Sequence, residues 1–476
     1  MRMSPHSTRR QQLADTMRAH GGGIAIAFTA PEVARNRDSE YPYRWDSYFY
    51  YLTGFPEPEA AVVMVADGET TESILFCREK HEEREIWDGF RFGPEAARER
   101  FGFDRAMPFA SLDEELPKLL ADRPALWYAL GSDEGLDARV QRWLGAVRAQ
   151  ARAGVSPPAH AFDLRAVLDE MRLIKDAHEI ATMRRAAQIS AAAHVRAMRA
   201  TRPGCHEYEI EAELLHEFRR NGSQFPAYGS IVAGGRNACV LHYRGNDARL
   251  VDGELLLIDA GCELDGYASD ITRTFPVGGR FGGAQRTLYE IVLQAQRAAI
   301  DATRPGARFI DPHDAAIRVL AQGMIDCGLI AGTLDAAIES GAYRRFYMHR
   351  TGHWLGMDVH DCGEYREPGA GEHGAGARRS ATGSRTAAAE PPADAGTGTA
   401  AAPVTDTGKP WRVLRPGMVL TVEPGIYVRA ADDVPTAFHD IGIRIEDDAL
   451  VTGTGCEILT VDAPKSVDDI EALMRG

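Results

Sequence analysis

Residues 255–276 read LLLIDAGCELDGYASDITRTFP, and the reading of this stretch decides the rest. Leu255, Leu256, Leu257 and Ile258 make a short apolar run with the character of a buried strand, and Asp259 ends it. Asp265-Gly266 is a two-residue hairpin signal, because both central positions of such a turn favour residues that tolerate positive φ. A two-residue turn fixes the register: Leu264 faces Tyr267, Glu263 faces Ala268, and Asp270 falls opposite Gly261. Asp259 is then the diagonal neighbour of Asp270 on one face, at roughly 7 to 8 Å, since side chains repeat with a period of two. Carboxylates that leave water need hydrogen bonds, a counter-charge or a metal. Gly261 puts no side chain between the two acids, so they can share an ion.

Three further segments carry ligand-type residues. FYMHRTGHWLGMDVHD (346–361) holds His349, His353 and His360, and MVLTVEPGIY (418–427) ends an apolar strand on Glu423 as the first run ends on Asp259. In IGIRIEDD (441–448), Ile441, Ile443 and Ile445 alternate with Gly442, Arg444 and Glu446, so Arg444 and Glu446 share the polar face and the guanidinium can orient acids. Taken singly each acid has an ordinary reading; Asp270, for example, could pair with Arg273. Collected, Asp259, Asp270, His353, Glu423 and Glu446 offer four carboxylates and one imidazole. That set suits two divalent ions, and oxygen-rich ligation without sulfur favours Mn²⁺ over zinc. Paired ions activate a water for attack on a carbonyl, so hydrolysis is the chemistry expected.

The 476 residues allow two or three domains, and a net charge of -15 with no sustained basic stripe disfavours nucleic acid as a partner. Seven cysteines, at 77, 205, 239, 262, 327, 362 and 456, contain no CxxC pair, which argues against a disulfide framework or a thiolate metal site. The N-terminus lacks an apolar signal segment and no run approaches membrane-spanning length, so a cytoplasmic enzyme without a membrane partner is expected.

Residues 1–160 read as an α/β unit, with a helix at 11–19 and strands near 24–28, 48–52, 61–65 and 74–77, bounded by Ser156-Pro157-Pro158. A helical stretch at 163–200 opens a second domain, 161–476. Within it, Gly253 and Gly417 each precede an acid by six residues, with Gly261 and Gly425 two residues after the acids, an echo that suggests a duplicated strand unit. Residues 369–408 are Ala, Gly, Thr, Ser, Pro and Arg with almost no large apolar residues, a composition that predicts a disordered insertion.

The segments at 258–276, 353–361, 417–427 and 443–448 resemble the metal segments of the pita-bread dinuclear metallopeptidases, and most closely the bacterial aminopeptidase P (Xaa-Pro aminopeptidase) group. YPYRWDSYFYYLTGFPEPEA (41–60) and EIWDGFRFGPEAARERFG (85–102) resemble that group's N-terminal domain more than a prolidase's. The resemblance implies an α/β N-terminal domain followed by an α+β pita-bread catalytic domain with a curved, mainly antiparallel sheet. It implies a bridging hydroxide attacking the carbonyl before proline, with Glu423 relaying the proton. His242, His349 and His360 would contact substrate or the developing oxyanion, Arg444 would orient ligands, and Tyr228 and Arg350 would form walls. It further implies peptide substrates with proline second and a homodimer or homotetramer in which Trp87 lines a neighbour's site. A prolidase restricted to dipeptides and a non-enzymatic pita-bread binding protein are the alternatives. The 369–408 insertion departs from the family pattern.

Overall fold

A computed structural model describes residues 4–368 and 408–475. Apart from Gly408, the insertion expected at 369–408 lies outside the described residues. The first unit is built on strands β1 (Gly23–Phe28), β2 (Ala61–Asp67), β3 (Thr70–Cys77), β4 (Arg105–Pro108), β5 (Ala125–Trp127) and β6 (His160–Phe162), in the order β4-β3-β2-β1-β5-β6. β1, β2 and β3 pair antiparallel; β4, β5 and β6 join in parallel. Both faces are apolar, and the period of two sorts their contacts. Ile24, Ile26, Val63 and Val65 pack under helices Leu112–Leu120 and Glu134–Arg148, whereas Ala25, Val62 and Met64 face helix Pro5–Ala19 and residues of the second unit.

The strand expected at 48–52 is instead part of a helix, Ser47–Thr53. Its aromatic side chains have strand propensity, but Asp46 caps the N-terminus by accepting from the Phe49 amide and Gly54 closes the C-terminus at φ 63°. The stretch at 163–200 divides into helices Leu164–Leu173 and Ala177–Ala200, because Asp176 and Glu179 form a capping box that restarts the chain.

In the second unit, strands β7 (Phe225–Pro226), β8 (Ile231–Gly234), β9 (Leu255–Asp259), β10 (Cys262–Leu264), β11 (Tyr267–Ala268) and β12 (Thr272–Pro276) precede β13 (Val419–Val422), β14 (Gly425–Val428), β15 (Ile441–Arg444), β16 (Asp447–Val451) and β17 (Cys456–Ile458). Among the described residues their pairings are antiparallel, in the short sheets β11-β10-β7, β12-β9-β8, β13-β16-β17 and β14-β15. Backbone hydrogen bonds stitch these together. The Glu446 amide donates to the Thr272 carbonyl at 3.0 Å, and the Thr421 and Glu423 amides donate to the His353 and Thr351 carbonyls at 2.9 Å each.

The hairpin register is as the turn dictates. Leu264 pairs with Tyr267 and Glu263 with Ala268, and the same register carries through to Asp259 opposite Thr272 with no bulge between. The strands approach so closely at Gly261 that a Cβ there would lie 1.6 Å from the Ser269 carbonyl oxygen. Gly253 and Gly417, which lead into β9 and β13, both turn through positive φ, 83° and 93°.

Candidate metal centre

Asp259 ends β9, and Asp270 sits on the return strand just before β12. Glu423 follows β13, Glu446 lies between β15 and β16, and His353 runs beside β13. Four sequence-distant elements thus deliver five ligand-type side chains to one place. Ligand atoms of Asp270, His353 and Glu446 lie within 4.8 Å of one another. His353 Nε2 stands 3.5 Å from Asp270 Oδ2 and 3.7 Å from Glu423 Oε1. Its other nitrogen, Nδ1, donates to the Trp354 carbonyl at 3.0 Å, which turns Nε2 toward the acids as a ligand requires. Gly352 makes this approach feasible, since a Cβ there would meet the Thr421 carbonyl at 2.1 Å.

Asp259 and Asp270 are held as a pair. The Tyr228 hydroxyl donates toward both, 2.6 Å from Asp259 Oδ1 and in contact with Asp270 Oδ1. Arg444 Nη2 donates to Asp259 Oδ2 at 2.6 Å, and its Nε donates to Thr272 Oγ1, whose hydroxyl donates to Glu446 Oε2 at 2.6 Å. Arg273 takes no part: its Nη2 reaches Asp447 at 2.7 Å, so the ordinary reading of Asp270 as its partner does not hold.

The acids outnumber the nearby cations, and their proton affinities record it. Burial raises Asp270, and the charge of Asp259 adds to the effect against hydrogen bonding from His353. Burial lifts Glu423 to about 7 despite His353 and Arg444. Glu446 is driven well above the carboxylate range by burial and by Asp270, Glu423 and Asp259. His353 responds in the opposite sense: burial opposes its charge, but Asp270 and Glu423 raise it to about 9. A compact set of buried oxygens that cannot all ionise together, with one imidazole aimed among them, fits divalent cations in place of protons.

The remaining histidines flank this core. His349 donates from Nδ1 to the Arg350 carbonyl at 2.7 Å and accepts at Nε2 from the Tyr427 hydroxyl at 2.8 Å, while Arg444 Nη1 donates to the same hydroxyl at 3.0 Å. Its Nδ1 is 3.7 Å from Glu423, and burial and Arg444 lower its pKa to about 3. His360 is exposed, with its ring centroid 4.1 Å from that of His353; burial of part of the ring, His353 and His242 lower it to about 4. His242 is also exposed, within electrostatic reach of Arg444 and Asp259.

Sequence reading assigned no part to Thr272 or Tyr427 and placed Tyr228 only in a wall. Asp448 also went unread: it accepts from the Asp270 amide at 3.2 Å, and burial and Asp270 raise its pKa far above normal. The doubled acid in IRIEDD was the available signal for Asp448.

The pattern of Metallopeptidase family M24 matches residues 181–453, and that of the Aminopeptidase P N-terminal domain matches residues 6–127. The chain belongs to metallopeptidase family M24. This M24 chain is 42% identical to the Xaa-Pro aminopeptidase of Escherichia coli (strain K12) over 467 residues, 98% of its own length and 96% of the relative's. It is also similar to solved structures. Pseudomonas aeruginosa aminopeptidase PepP superposes with a TM-score of 0.89 at 46% identity, covering 100% of this chain and 99% of the other. A variant of Escherichia coli aminopeptidase P in complex with substrate gives 0.88 at 41% identity, with 99% and 98% covered. The M24 assignment gives the architecture its name: an α/β N-terminal unit before a pita-bread catalytic unit.

Proposed function

We propose that the chain is an Xaa-Pro aminopeptidase: it releases the N-terminal residue of peptides with proline in second place, using two divalent ions, Mn²⁺ in preference, bound by Asp259, Asp270, His353, Glu423 and Glu446. The observation that carries the reading is that ligand atoms of Asp270, His353 and Glu446 lie within 4.8 Å of one another, with Glu423 3.7 Å from the same imidazole nitrogen and Asp259 tied to Asp270 through Tyr228. Substrate class rests on the near-full-length similarity to the Escherichia coli Xaa-Pro aminopeptidase. Divalent ions bound there supply Lewis acidity and a water acidic enough to be a nucleophile at neutral pH.

The chain's own residues do the rest. Arg444 fixes one oxygen of Asp259 and, through Thr272, the orientation of Glu446, so the ligand oxygens are set before any ion arrives. Glu423, 3.7 Å from both His353 Nε2 and His349 Nδ1, can accept a proton from the attacking water and deliver it to the departing proline nitrogen. That nitrogen must be protonated as the C–N bond breaks, since an amine anion is too basic to depart. His349, kept neutral by burial, has its orientation set by the Tyr427 hydroxyl and the Arg350 carbonyl beside Glu423; His242 and His360 stand at the rim as donors for charge developing on the carbonyl oxygen.

The reading includes a domain division near residue 160, a cytoplasmic location and a homodimer or homotetramer. Trp87, 86% exposed on helix Glu82–Asp88 beside exposed Ile86 and Phe90, is the surface that supports self-association. Product analysis on an Xaa-Pro dipeptide and an Xaa-Pro-Yaa tripeptide with added Mn²⁺ tests the function. Release of the first residue from the tripeptide is expected; cleavage of the dipeptide with the tripeptide spared would make the chain a prolidase instead.

A further inference from the structure

Several arginines in and around the site are paired with acids. Arg444 is matched to Asp259, Arg273 to Asp447, Arg172 to Asp358 and Asp361, and Arg44, which lines a 540 Å³ cleft beside His360, to Glu263 and Asp358. Arg350 differs. Its side chain is exposed, its guanidinium lies 5.1 Å from the centroid of the Trp411 ring, and among the described residues no carboxylate comes within 4.0 Å of it. An exposed cation beside an aromatic ring that Arg366 also covers at 3.6 Å, with no acid next to it, is open to an external anion.

Its position says which anion. Arg350 follows His349, which stands beside Glu423, and its own carbonyl fixes the His349 ring. If Glu423 protonates the departing nitrogen, the leaving peptide lies along the Glu423–His349 edge, and the residues after proline run toward Arg350. In a tripeptide the terminal carboxylate sits two residues beyond the scissile nitrogen, at most about 7 Å of extended chain. That span is within the reach of an arginine side chain. His313, which shares a hydrogen bond with Thr351 at 2.8 Å, feels the same positive field: burial lowers its pKa to about 4, with Arg350 and Arg344 adding to the effect.

We propose that Arg350, braced on Trp411, reads a carboxylate on the residue that follows proline, so that this enzyme binds short Xaa-Pro-Yaa peptides with a free carboxylate in preference to the same peptides amidated. The assignment rests on the reading of the site as an Xaa-Pro aminopeptidase. Steady-state kinetics with Mn²⁺ on Ala-Pro-Ala, Ala-Pro-Ala amide and Ala-Pro-Glu amide test it at low and high salt. Wild-type protein is expected to show a KM for the free acid about 5- to 10-fold below that for the amide at low salt, a gap that about 0.5 M salt narrows. Ala-Pro-Glu amide separates the sources: a KM near that of the free acid means that a side-chain carboxylate serves equally, and one near that of Ala-Pro-Ala amide means that the terminal carboxylate is the group read.

Arg350→Gln should bring the acid-to-amide ratio near one through KM rather than kcat, Arg350→Glu should invert it, and Arg350→Lys should restore part of it. An unchanged thermal midpoint for Arg350→Gln, expected for an exposed side chain, shows that folding is not the cause. If wild type and Arg350→Gln share the same ratio, the assignment falls while the aminopeptidase stands. If wild type cleaves no Xaa-Pro peptide, both fall.

Discussion

Glu446 and Asp447 are adjacent, equally buried acids, 2% and 0% exposed, and they behave in opposite ways. Glu446 looks into Asp270, Glu423 and Asp259, and burial together with those like charges drives its pKa far up. Asp447, on the other face of the strand, meets Arg273 at 2.7 Å, Lys465, the Gln296 amide at 2.9 Å and the Thr460 hydroxyl at 2.7 Å. Burial alone would raise Asp447 as well, but Arg273 and Lys465 overcome it and hold the carboxyl below its ordinary value. Burial therefore does not mark a functional acid. What marks it is the lack of enough cations around it, a deficit that divalent metal can fill.

The largest effects should separate the two acids by kind. Glu446→Ala removes a proposed ligand, and hydrolysis of an Xaa-Pro peptide should fall by more than about 10⁴-fold, roughly 5.5 kcal/mol of barrier. The metal-free protein should at the same time lose none of its thermal stability, because one like charge has left a crowded site. Asp447→Ala should do the reverse, costing about 3 to 5 kcal/mol in denaturant unfolding by leaving Arg273 buried without its counter-charge. Equal loss of stability in both variants would erase the distinction.

The pH dependence of the metal-free protein sharpens it. Glu423 and Glu446 have folded pKa values above their unfolded ones, so their ionisation is resisted by the fold and stability falls as pH rises from about 4.5 through about 7. His353, raised to about 9, contributes stability that is full below its unfolded value and lost as pH climbs through 9. Asp447, depressed, works oppositely: its contribution is present above its unfolded value and is lost only as pH falls through the folded one. Chelated protein should therefore melt several degrees lower at pH 8 than at pH 5.5, and added Mn²⁺ should restore the midpoint at pH 8 by binding only the folded state. A melting point that rises with pH over this window in chelated protein would contradict the crowded-acid account.

How much of this was legible depends on whether the information is local. The hairpin was readable because Asp265-Gly266 fixes its own register, and once Asp259 and Asp270 share a face the site has its first two acids. The alternation around Arg444 likewise gave the side from which it reaches Asp259. Ser47–Thr53 was misread because Tyr48, Phe49, Tyr50 and Tyr51 have strand propensity, and the signals that overrule it, Asp46 and Gly54, sit outside the run. Tyr228 could be placed only as a wall, since its two partners come from β9 and from the approach to β12, and nothing in its flanking residues points to either. Asp447 was the hardest: in sequence it is one more acid in IRIEDD, and only the arrival of Arg273 from β12 and Lys465 from beyond β17 makes it structural.

Tyr228 gives an intermediate test, since its hydroxyl serves the acids without being one of them. Tyr228→Phe leaves the ring in place but withdraws the donor shared by Asp259 and Asp270, and apparent Mn²⁺ affinity should weaken by about 10- to 100-fold, as when an outer partner of a metal ligand is lost. A metal titration followed by activity measures it, and an unchanged midpoint would show that Arg444 alone positions Asp259.

The smallest expected effect comes from the paired side. Lys465 is 26% exposed along its side chain and contacts Asp447 Oδ2, while the fully buried Arg273 holds Oδ1. Lys465→Met should cost only about 1 kcal/mol, because Arg273, Gln296 and Thr460 still satisfy the carboxylate and a partly exposed ammonium has little to lose in water. Activity per folded molecule should be unaltered, for the charge removed lies on the face of the strand turned away from Glu446. If Lys465→Met instead shifted the metal affinity, the two faces would be electrostatically continuous, and Glu446 would owe part of its crowding to what happens around Asp447.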